Sequence, residues 1–168
     1  MGMTQNLVST EAVEKMRDLV EQSKTCMFAS NIGEVPPHLC PMQVQDVDHD
    51  GSVWFFSGAD SIHNAQILVD PRVQLVFCNN SKHEYLAVYG TAEISRDIDK
   101  IHDLWTNLVK TWFPQGQSDP NLTLIRVHPE KVHYWDVKDG KLVAMAKILI
   151  GSVTGHPQDI GIEGDLRP

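Results

Sequence analysis

The chain has 168 residues, of which 42% are hydrophobic and 21% are charged. Chains of ~150 residues bury roughly 70% of their unfolded surface, so one globular domain is expected. The 22 acidic residues outnumber the 14 lysines and arginines, and the formal net charge of -8 opposes binding to nucleic acid. No apolar run approaches the ~20 residues of a membrane span. Residues 1–10 also lack the features of a signal peptide, so a cytoplasmic protein is expected.

The first predicted elements are a helix over residues 10–22 and a strand over residues 25–32. Ser9 or Thr10 is the expected N-cap of the helix, because a side-chain oxygen there can accept a hydrogen bond from the first turn. The next strand contains Pro41, which has no N–H to donate to a neighbouring strand. An edge position or a bulge is therefore predicted for Pro41.

A β-hairpin is predicted at Asp50-Gly51, between apolar strands at residues 38–42 and 53–58. Asp-Gly between two β-rich runs is a strong hairpin signal. The second strand ends in a small polar loop at residues 58–61, which leads into a helix over Ile62–Val69. A strand end, a loop of small residues and a helix N-terminus together favour binding of an anion such as phosphate.

The second half of the chain is again rich in strands. Strands are predicted over residues 72–78, 85–94, 122–127, 131–137 and 141–150, with a bulge or bend at Gly90 and a helix over residues 97–110. About six or seven strands and two or three helices predict a mainly β (α+β) fold, an antiparallel split β-barrel or Greek-key barrel with flanking helices. Residues 1–150 would form the domain. Residues 151–168 would be a C-terminal tail that is disordered or packed on a partner.

Several motifs for common chemistry are absent from the sequence. The eight histidines make no H-E-x-x-H pattern, so no metal site is predicted. No G-x-S-x-G, S-x-x-K, P-loop or G-x-G-x-x-G occurs, which argues against the common hydrolase, kinase and dinucleotide-binding folds. Cys26, Cys40 and Cys78 lie in apolar runs without C-x-x-C spacing and are interpreted as buried thiols. Trp112 and Phe113 follow a helix and need a further surface, either a partner subunit or a planar cofactor.

A set of short motifs occurs in order along residues 10–150. It includes His38-Leu39-Cys40-Pro41-Met42, Val53-Trp54-Phe55-Phe56-Ser57, Ser61-Ile62-His63-Asn64, Trp112-Phe113-Pro114 and Tyr134-Trp135-Asp136. This order resembles the pyridoxamine-phosphate-oxidase-like flavoproteins, in particular their general stress protein branch. The resemblance implies a split β-barrel homodimer that binds two FMN molecules in clefts at the subunit interface.

The resemblance also implies which residues bind the flavin. Along the isoalloxazine ring and ribityl chain would lie Cys40, Pro41 and Met42, with Phe56 and Ser57 beside them. The phosphate would be bound by Ser61 and His63. The ring would be covered by Trp112 and Phe113, from the second subunit or the cleft wall, and His38 would face the ring region.

The chain departs from the family pattern at two positions. Cys40 stands where an arginine usually precedes Pro-Met, and His63 stands where a lysine or arginine usually follows the serine by two residues. Each charge-assisted bond to phosphate is worth ~1.5–3 kcal/mol. The expected FMN affinity is therefore low, pH-dependent through His63, or lost.

Three functions remain open from the sequence. The first is an FMN-dependent oxidoreductase, in a stress-related context, that acts on a small molecule which the sequence does not identify. The second is a non-catalytic flavin or haem binding module with a degenerate cleft, and the third is a structural homodimer whose cleft is filled. No catalytic acid or base can be named, and the Arg-x-His pattern of pyridoxamine-phosphate oxidases is not evident near residues 134–136.

Overall fold

A computed structural model describes residues 3–137 and 161–168. Within them, ten strands form one mixed sheet. The strands are β1 (Met3–Thr4), β2 (Leu7–Val8), β3 (Thr25–Ser30), β4 (His38–Gln43), β5 (Asp46–Val47), β6 (Val53–Gly58), β7 (Arg72–Asn79), β8 (Glu84–Ser95), β9 (Leu122–Val137) and β10 (Gly161–Arg167). The helices are α1 (Ser9–Ser23), α2 (Ile62–Val69) and α3 (Ile98–Leu104), with short 3₁₀ turns at Val109–Thr111 and Gly116–Ser118. The predicted mainly β fold with flanking helices is confirmed.

The long strand β9 organises the barrel, because different strands pair with its two halves. β6 pairs antiparallel with residues 122–127 of β9, β10 pairs with residues 132–137, and β8 follows it along most of its length. From β8 the sheet continues through β7 and β3 to β4. The two strands predicted over residues 122–127 and 131–137 are therefore one continuous strand.

The predicted bulge at Gly90 is confirmed, and it explains how β9 passes through a proline. The register of β8 against β9 shifts between Tyr89 and Gly90, where Gly90 lies opposite Pro129. A Cβ atom built on Gly90 would lie 2.0 Å from the backbone oxygen of His128. No side chain fits there, so glycine permits the close approach of the two strands.

The core lies between the inner face of the barrel and α1. Its largest buried side chains include Phe28, Phe55, Leu75 and Tyr134, with Met16 contributed by α1. The Phe28 and Phe55 rings meet edge to face, with centroids 5.5 Å apart. A second, smaller cluster on the other face of β6 contains Trp54, Ile101, Val109, Phe113, Leu122 and Leu124. Strand β6 is therefore covered on both faces.

Strand β4 is an edge strand, which confirms the expectation for Pro41. The predicted hairpin turn at Asp50-Gly51 is confirmed, but its first strand is β5 and not β4. In the described part of the chain β4 pairs with β3, while β6 pairs with β9 and with the two-residue strand β5. The Asp50-Gly51 turn joins β5 to β6, so the hairpin that it closes is much shorter than predicted.

The start of α1 and the end of α3 also differ from the sequence prediction. The N-cap of α1 is Val8 without a side-chain hydrogen bond, because Val8 still pairs with Arg167 in β2 and the helix begins directly after that strand. Helix α3 ends at Leu104 and not at residue 110, and a separate 3₁₀ turn follows at Val109–Thr111.

The C-terminal residues belong to the sheet of their own chain. Gly161–Arg167 pairs antiparallel with β9 and parallel with β1 and β2, and Leu166 is buried in the core. For these residues, a tail that is disordered or packed on a partner is wrong. The expected turn at Asp139-Gly140 and the strand over residues 141–150 lie outside the described residues.

Candidate ligand-binding site

A cavity of about 860 Å³ lies between α1, the edge strand β4, β5, the end of β6 and residues 106–113. Small-molecule sites typically measure roughly 300–1,000 Å³. The structure brings eight of the ten predicted site residues to its wall: Cys40, Pro41, Met42, Phe56, Ser57, His63, Trp112 and Phe113. Residues far apart in sequence therefore meet around one volume of ligand size.

The other two predicted residues lie just behind the wall. The His38 ring is stacked on the His63 ring, with centroids 6.5 Å apart and planes 17° from parallel. Its Nδ1 atom is 3.4 Å from Ser30 Oγ. Ser61 caps α2, since its Oγ accepts a hydrogen bond of 3.2 Å from the Asn64 N–H. His38 and Ser61 are thus placed to support His63.

The loop between β6 and α2 brings the helix N-terminus to the cavity. Gly58 lines the cavity, and a Cβ atom there would lie 2.9 Å from an Asp60 carboxylate oxygen and 3.1 Å from the Asn121 amide nitrogen. The Ala59 N–H donates to the Asn121 carbonyl at 2.7 Å, which fixes the loop against the start of β9. His63 lies in the first turn of α2, at the end of the helix that favours negative charge.

A chain of hydrogen bonds fixes the orientation of His63. The Thr123 hydroxyl donates to the Ser57 carbonyl at 2.8 Å, so its oxygen accepts from Asn64 Nδ2 at 2.9 Å. The Ser57 hydroxyl donates to Asn64 Oδ1 at 2.7 Å and is 2.7 Å from His63 Nε2. Since the Ser57 proton is already used, Nε2 must be the donor in this last bond.

The other ring nitrogen of His63 faces a thiol. With Nε2 protonated, the neutral imidazole keeps a lone pair on Nδ1, which lies 3.8 Å from Cys40 Sγ. Burial, together with the neighbouring His38, lowers the pKa of His63, and burial raises the pKa of Cys40. At neutral pH the two side chains therefore favour their uncharged forms.

The three cysteines are not equivalent, and the interpretation of all three as buried is wrong. Cys26 is buried, and burial raises its pKa to about 12. Cys40 is half-buried and lines the cavity, whereas Cys78 is exposed. Strand alternation explains the difference, because Cys26 and Cys40 face inward while Cys78 faces outward.

Trp112 and Phe113 have different environments although both line the cavity. Trp112 is 78% exposed at the rim, while Phe113 is 7% exposed and packs in the second core cluster. They follow the short 3₁₀ turn, which directs consecutive side chains to different sides. Both belong to the same chain as the rest of the wall.

Sequence reasoning missed the contribution of α1. Arg17, Glu21 and Lys24 line the cavity together with Val20. Arg17 also donates a hydrogen bond of 2.9 Å to the Val47 carbonyl, which ties α1 to β5. The i, i+3 and i+4 spacing of Arg17, Val20 and Glu21 was the available signal, since it places them on one helix face, and Lys24 follows as the C-cap. Residues 43–47, Thr106, Leu108 and Val109 were missed as well.

The described ranges, 3–137 and 161–168, hold neither a metal cluster nor a membrane-spanning helix. They contain no group of three or more His, Cys, Asp or Glu side chains that could hold a metal ion. None of the three helices in this part of the chain has the length and apolar character needed to cross a membrane.

The sheet and its cavity define a split-barrel protein with a cavity of ligand size. The chain belongs to the Pyridoxamine 5'-phosphate oxidase like family, whose model matches residues 11–159. This confirms the resemblance found in the sequence.

The similar proteins include general stress proteins. General stress protein 26 of Bacillus subtilis (strain 168) is 24% identical over 123 residues, which cover 71% of this chain and 84% of that protein. A crystal structure from Jannaschia sp. CCS1, assigned to general stress protein 26, superposes with a TM-score of 0.77 at 21% identity, over 95% of this chain and 99% of that one. The general stress FMN/FAD binding protein of Xanthomonas citri superposes with a TM-score of 0.65 at 26% identity, over 75% and 89%.

Proposed function

We propose that the cavity binds FMN and that the protein is a flavin-dependent oxidoreductase acting on a small molecule. The observation that carries this proposal is the convergence of eight predicted flavin-contact residues on one cavity of about 860 Å³. The family supports it, and so does a similar protein from Xanthomonas citri that is described as FMN/FAD binding.

The chemistry of the wall suits a ligand with a planar ring and an anionic end. Met42, Phe56 and Trp112 provide apolar surface for the ring, while the N-terminus of α2 provides partial positive charge for the phosphate and His63 would add a donor at Nδ1 when protonated. A bound flavin would supply hydride transfer, and the protein would supply binding and orientation.

The lack of positive charge at the part of the cavity proposed to hold the phosphate limits the affinity for FMN at neutral pH. The fixed cations that line the cavity in the described chain, Arg17 and Lys24, come from α1 and its C-cap and not from the β6–α2 loop. Burial lowers the pKa of His63, so its positive charge is mostly absent at pH 7 and above. Protonation of His63 would strengthen its attraction to phosphate. We expect tighter FMN binding at pH 6 than at pH 8.

An FMN titration that follows quenching of flavin fluorescence tests the proposal. Cys40→Arg places a fixed charge in the cavity and should tighten binding about tenfold or more, the equivalent of one charge-assisted bond. Ile98→Arg adds the same charge on exposed α3 and serves as the matched control. His63→Ala should weaken binding and remove its pH dependence. If neither the wild type nor Cys40→Arg binds FMN, the proposal is wrong.

A binding module without turnover is the second candidate, favoured by the two uncharged side chains, Cys40 and His63, where the family pattern has basic ones. Its ligand would be a flavin or a haem. Haem addition with an absorbance scan tests the haem version, which requires a Soret band whose position changes in His63→Ala. A flavin that binds but is not reduced by any small-molecule reductant would support the flavin version.

We also propose that two copies of the chain form a dimer through the outer face of the sheet. Met27, Leu39, Val76 and Trp135 are 39–54% exposed on this face, and Met27 lies directly opposite Val76 across β3 and β7. Exposed apolar area of this kind is typical of subunit interfaces. Light scattering after size exclusion should give a dimer mass, reduced to a monomer by Met27→Glu but not by Ile98→Glu. A monomeric wild type would contradict the proposal.

A further inference from the structure

The contact between Cys40 and His63 is not required by flavin binding. Cys40 Sγ lies 3.8 Å from His63 Nδ1, and both side chains line the cavity. Of the cysteines in the described part of the chain, Cys40 alone reaches this cavity, since Cys26 is buried in the core and Cys78 is exposed away from it. A small molecule in the cavity would therefore meet one thiol with a histidine beside it.

The histidine is oriented as a base towards this thiol. His63 Nε2–H donates a hydrogen bond of 2.7 Å to Ser57 Oγ, and the Ser57 hydroxyl donates in turn to Asn64 Oδ1 at 2.7 Å. Asn64 is 2% exposed, so water cannot easily replace its bonds. A nucleophile, a base within reach and a group that orients the base are the three parts of an activated nucleophile.

We propose that Cys40 is a thiol–disulfide exchange site for small organic disulfides that enter the cavity, with His63 as the base. The Cys40 S–H proton moves to His63 Nδ1 while the sulfur attacks one sulfur of the disulfide. A new S–S bond forms to Cys40 and the S–S bond of the reagent breaks. The leaving thiolate takes the proton from His63, so Cys40 is oxidised and one half of the reagent is reduced to a thiol.

Because Cys40 and His63 are both uncharged, the thiol needs His63 as a base to form the attacking thiolate. Burial raises the pKa of Cys40, so little thiolate is present before the reagent arrives. Burial also keeps His63 neutral, which leaves Nδ1 free to take a proton. The rate at Cys40 should therefore depend on His63.

Exchange with 2-hydroxyethyl disulfide, a small uncharged probe, tests the proposal without any flavin. The reaction is followed by intact mass and peptide mapping in full-length Cys78→Ser protein, which removes the exposed thiol. One adduct is expected on Cys40, and none when Cys40→Ser is added. His63→Gln should slow the reaction by at least about tenfold, a threshold set below the roughly 10²–10⁴-fold that a positioned base typically contributes. His102→Gln, at an exposed histidine of α3, should leave the rate unchanged.

An unmodified Cys40, or an unchanged rate in folded His63→Gln protein, overturns the proposal. If circular dichroism shows that His63→Gln does not fold, the rate in Ser57→Ala protein decides in its place. This variant removes the hydrogen bond that holds His63 Nε2–H and orients the ring, so an unchanged rate would overturn the proposal. The proposal shares the cavity with the proposed function but not the ligand. A protein that fails to bind FMN yet exchanges disulfide at Cys40 would refute the flavin proposal alone.

Discussion

Replacing Asn64 by alanine should destabilise the protein by about 2–3 kcal/mol. Its side chain is 2% exposed and makes two hydrogen bonds, from the Ser57 hydroxyl at 2.7 Å and to Thr123 at 2.9 Å. Two such bonds contribute about 2 kcal/mol, and a buried hydroxyl left without its acceptor adds ~1 kcal/mol. The higher helix propensity of alanine offsets about 0.5 kcal/mol of this cost.

Urea unfolding measures the change, with the free energy of unfolding compared at equal slope. All variants are measured at one protein concentration, because a dimer makes the apparent stability depend on concentration. Asn107→Ala is the matched control: it makes the same substitution at an exposed position and should change the stability by less than about 0.5 kcal/mol.

A loss of unfolding free energy in Asn64→Ala no larger than in Asn107→Ala would refute more than the expected size of the effect. It would mean that the bonds linking Thr123, Asn64 and Ser57 are not formed in solution. The protonation of His63 at Nε2 depends on those bonds, so the assignment of Nδ1 as the base facing Cys40 would lose its support.

Three further variants test other parts of the structure. Lys100→Met should cost about 1 kcal/mol at pH 7, because its ammonium lies 2.8 Å from Asp48 and lowers the pKa of that carboxyl; urea unfolding should show this difference shrinking as the pH falls below about 4 and the carboxylate is protonated. Burial lowers the pKa of His63, so the folded state binds its proton less readily than the unfolded chain does. This histidine should therefore reduce stability as the pH falls below about 6.5, and unfolding of His63→Gln between pH 7 and 5 should lack that contribution. Gly90→Ala should abolish the native circular dichroism spectrum. Gly33→Ala should leave it intact, because its Cβ would meet a flexible guanidinium at 3.2 Å and a carboxylate oxygen at the ordinary distance of 3.8 Å.

The features that the sequence predicted well have local causes. Pro41 cannot donate a hydrogen bond to a neighbouring strand, which favours an edge strand or a bulge, and β4 is at the edge. The helix over Ile62–Val69 was predicted from its own residues, and its N-cap, Ser61, accepts a hydrogen bond from only three positions away. The clustering of Cys40 and His63 came from a family resemblance, since nothing in their spacing indicates that they meet.

The features that were mispredicted depend on partners distant in sequence. Position 164, inside β10, must be glycine because a Cβ there would lie 1.9 Å from the carbonyl oxygen of Gln5, near the other end of the chain. A glycine-rich run without alternation looks like a tail until this neighbour is known. In the same way Arg17 and Glu21 look like a solvated helix face, and only the packing of α1 beside β4 and β5 makes them part of a cavity.

Cys40 and His63 connect the two proposals, because they occupy positions where the family pattern has fixed positive charge and they contact each other instead. An arginine at position 40 would attract phosphate but cannot act as a nucleophile, whereas a thiol beside a neutral imidazole can exchange a disulfide but attracts phosphate weakly. Cys40→Arg should therefore move the two activities in opposite directions, tightening FMN binding and abolishing exchange. If Cys40→Arg instead weakened FMN binding while Ile98→Arg did not, Cys40 would itself be a flavin contact. The cysteine at position 40 would then not represent the loss of a phosphate ligand.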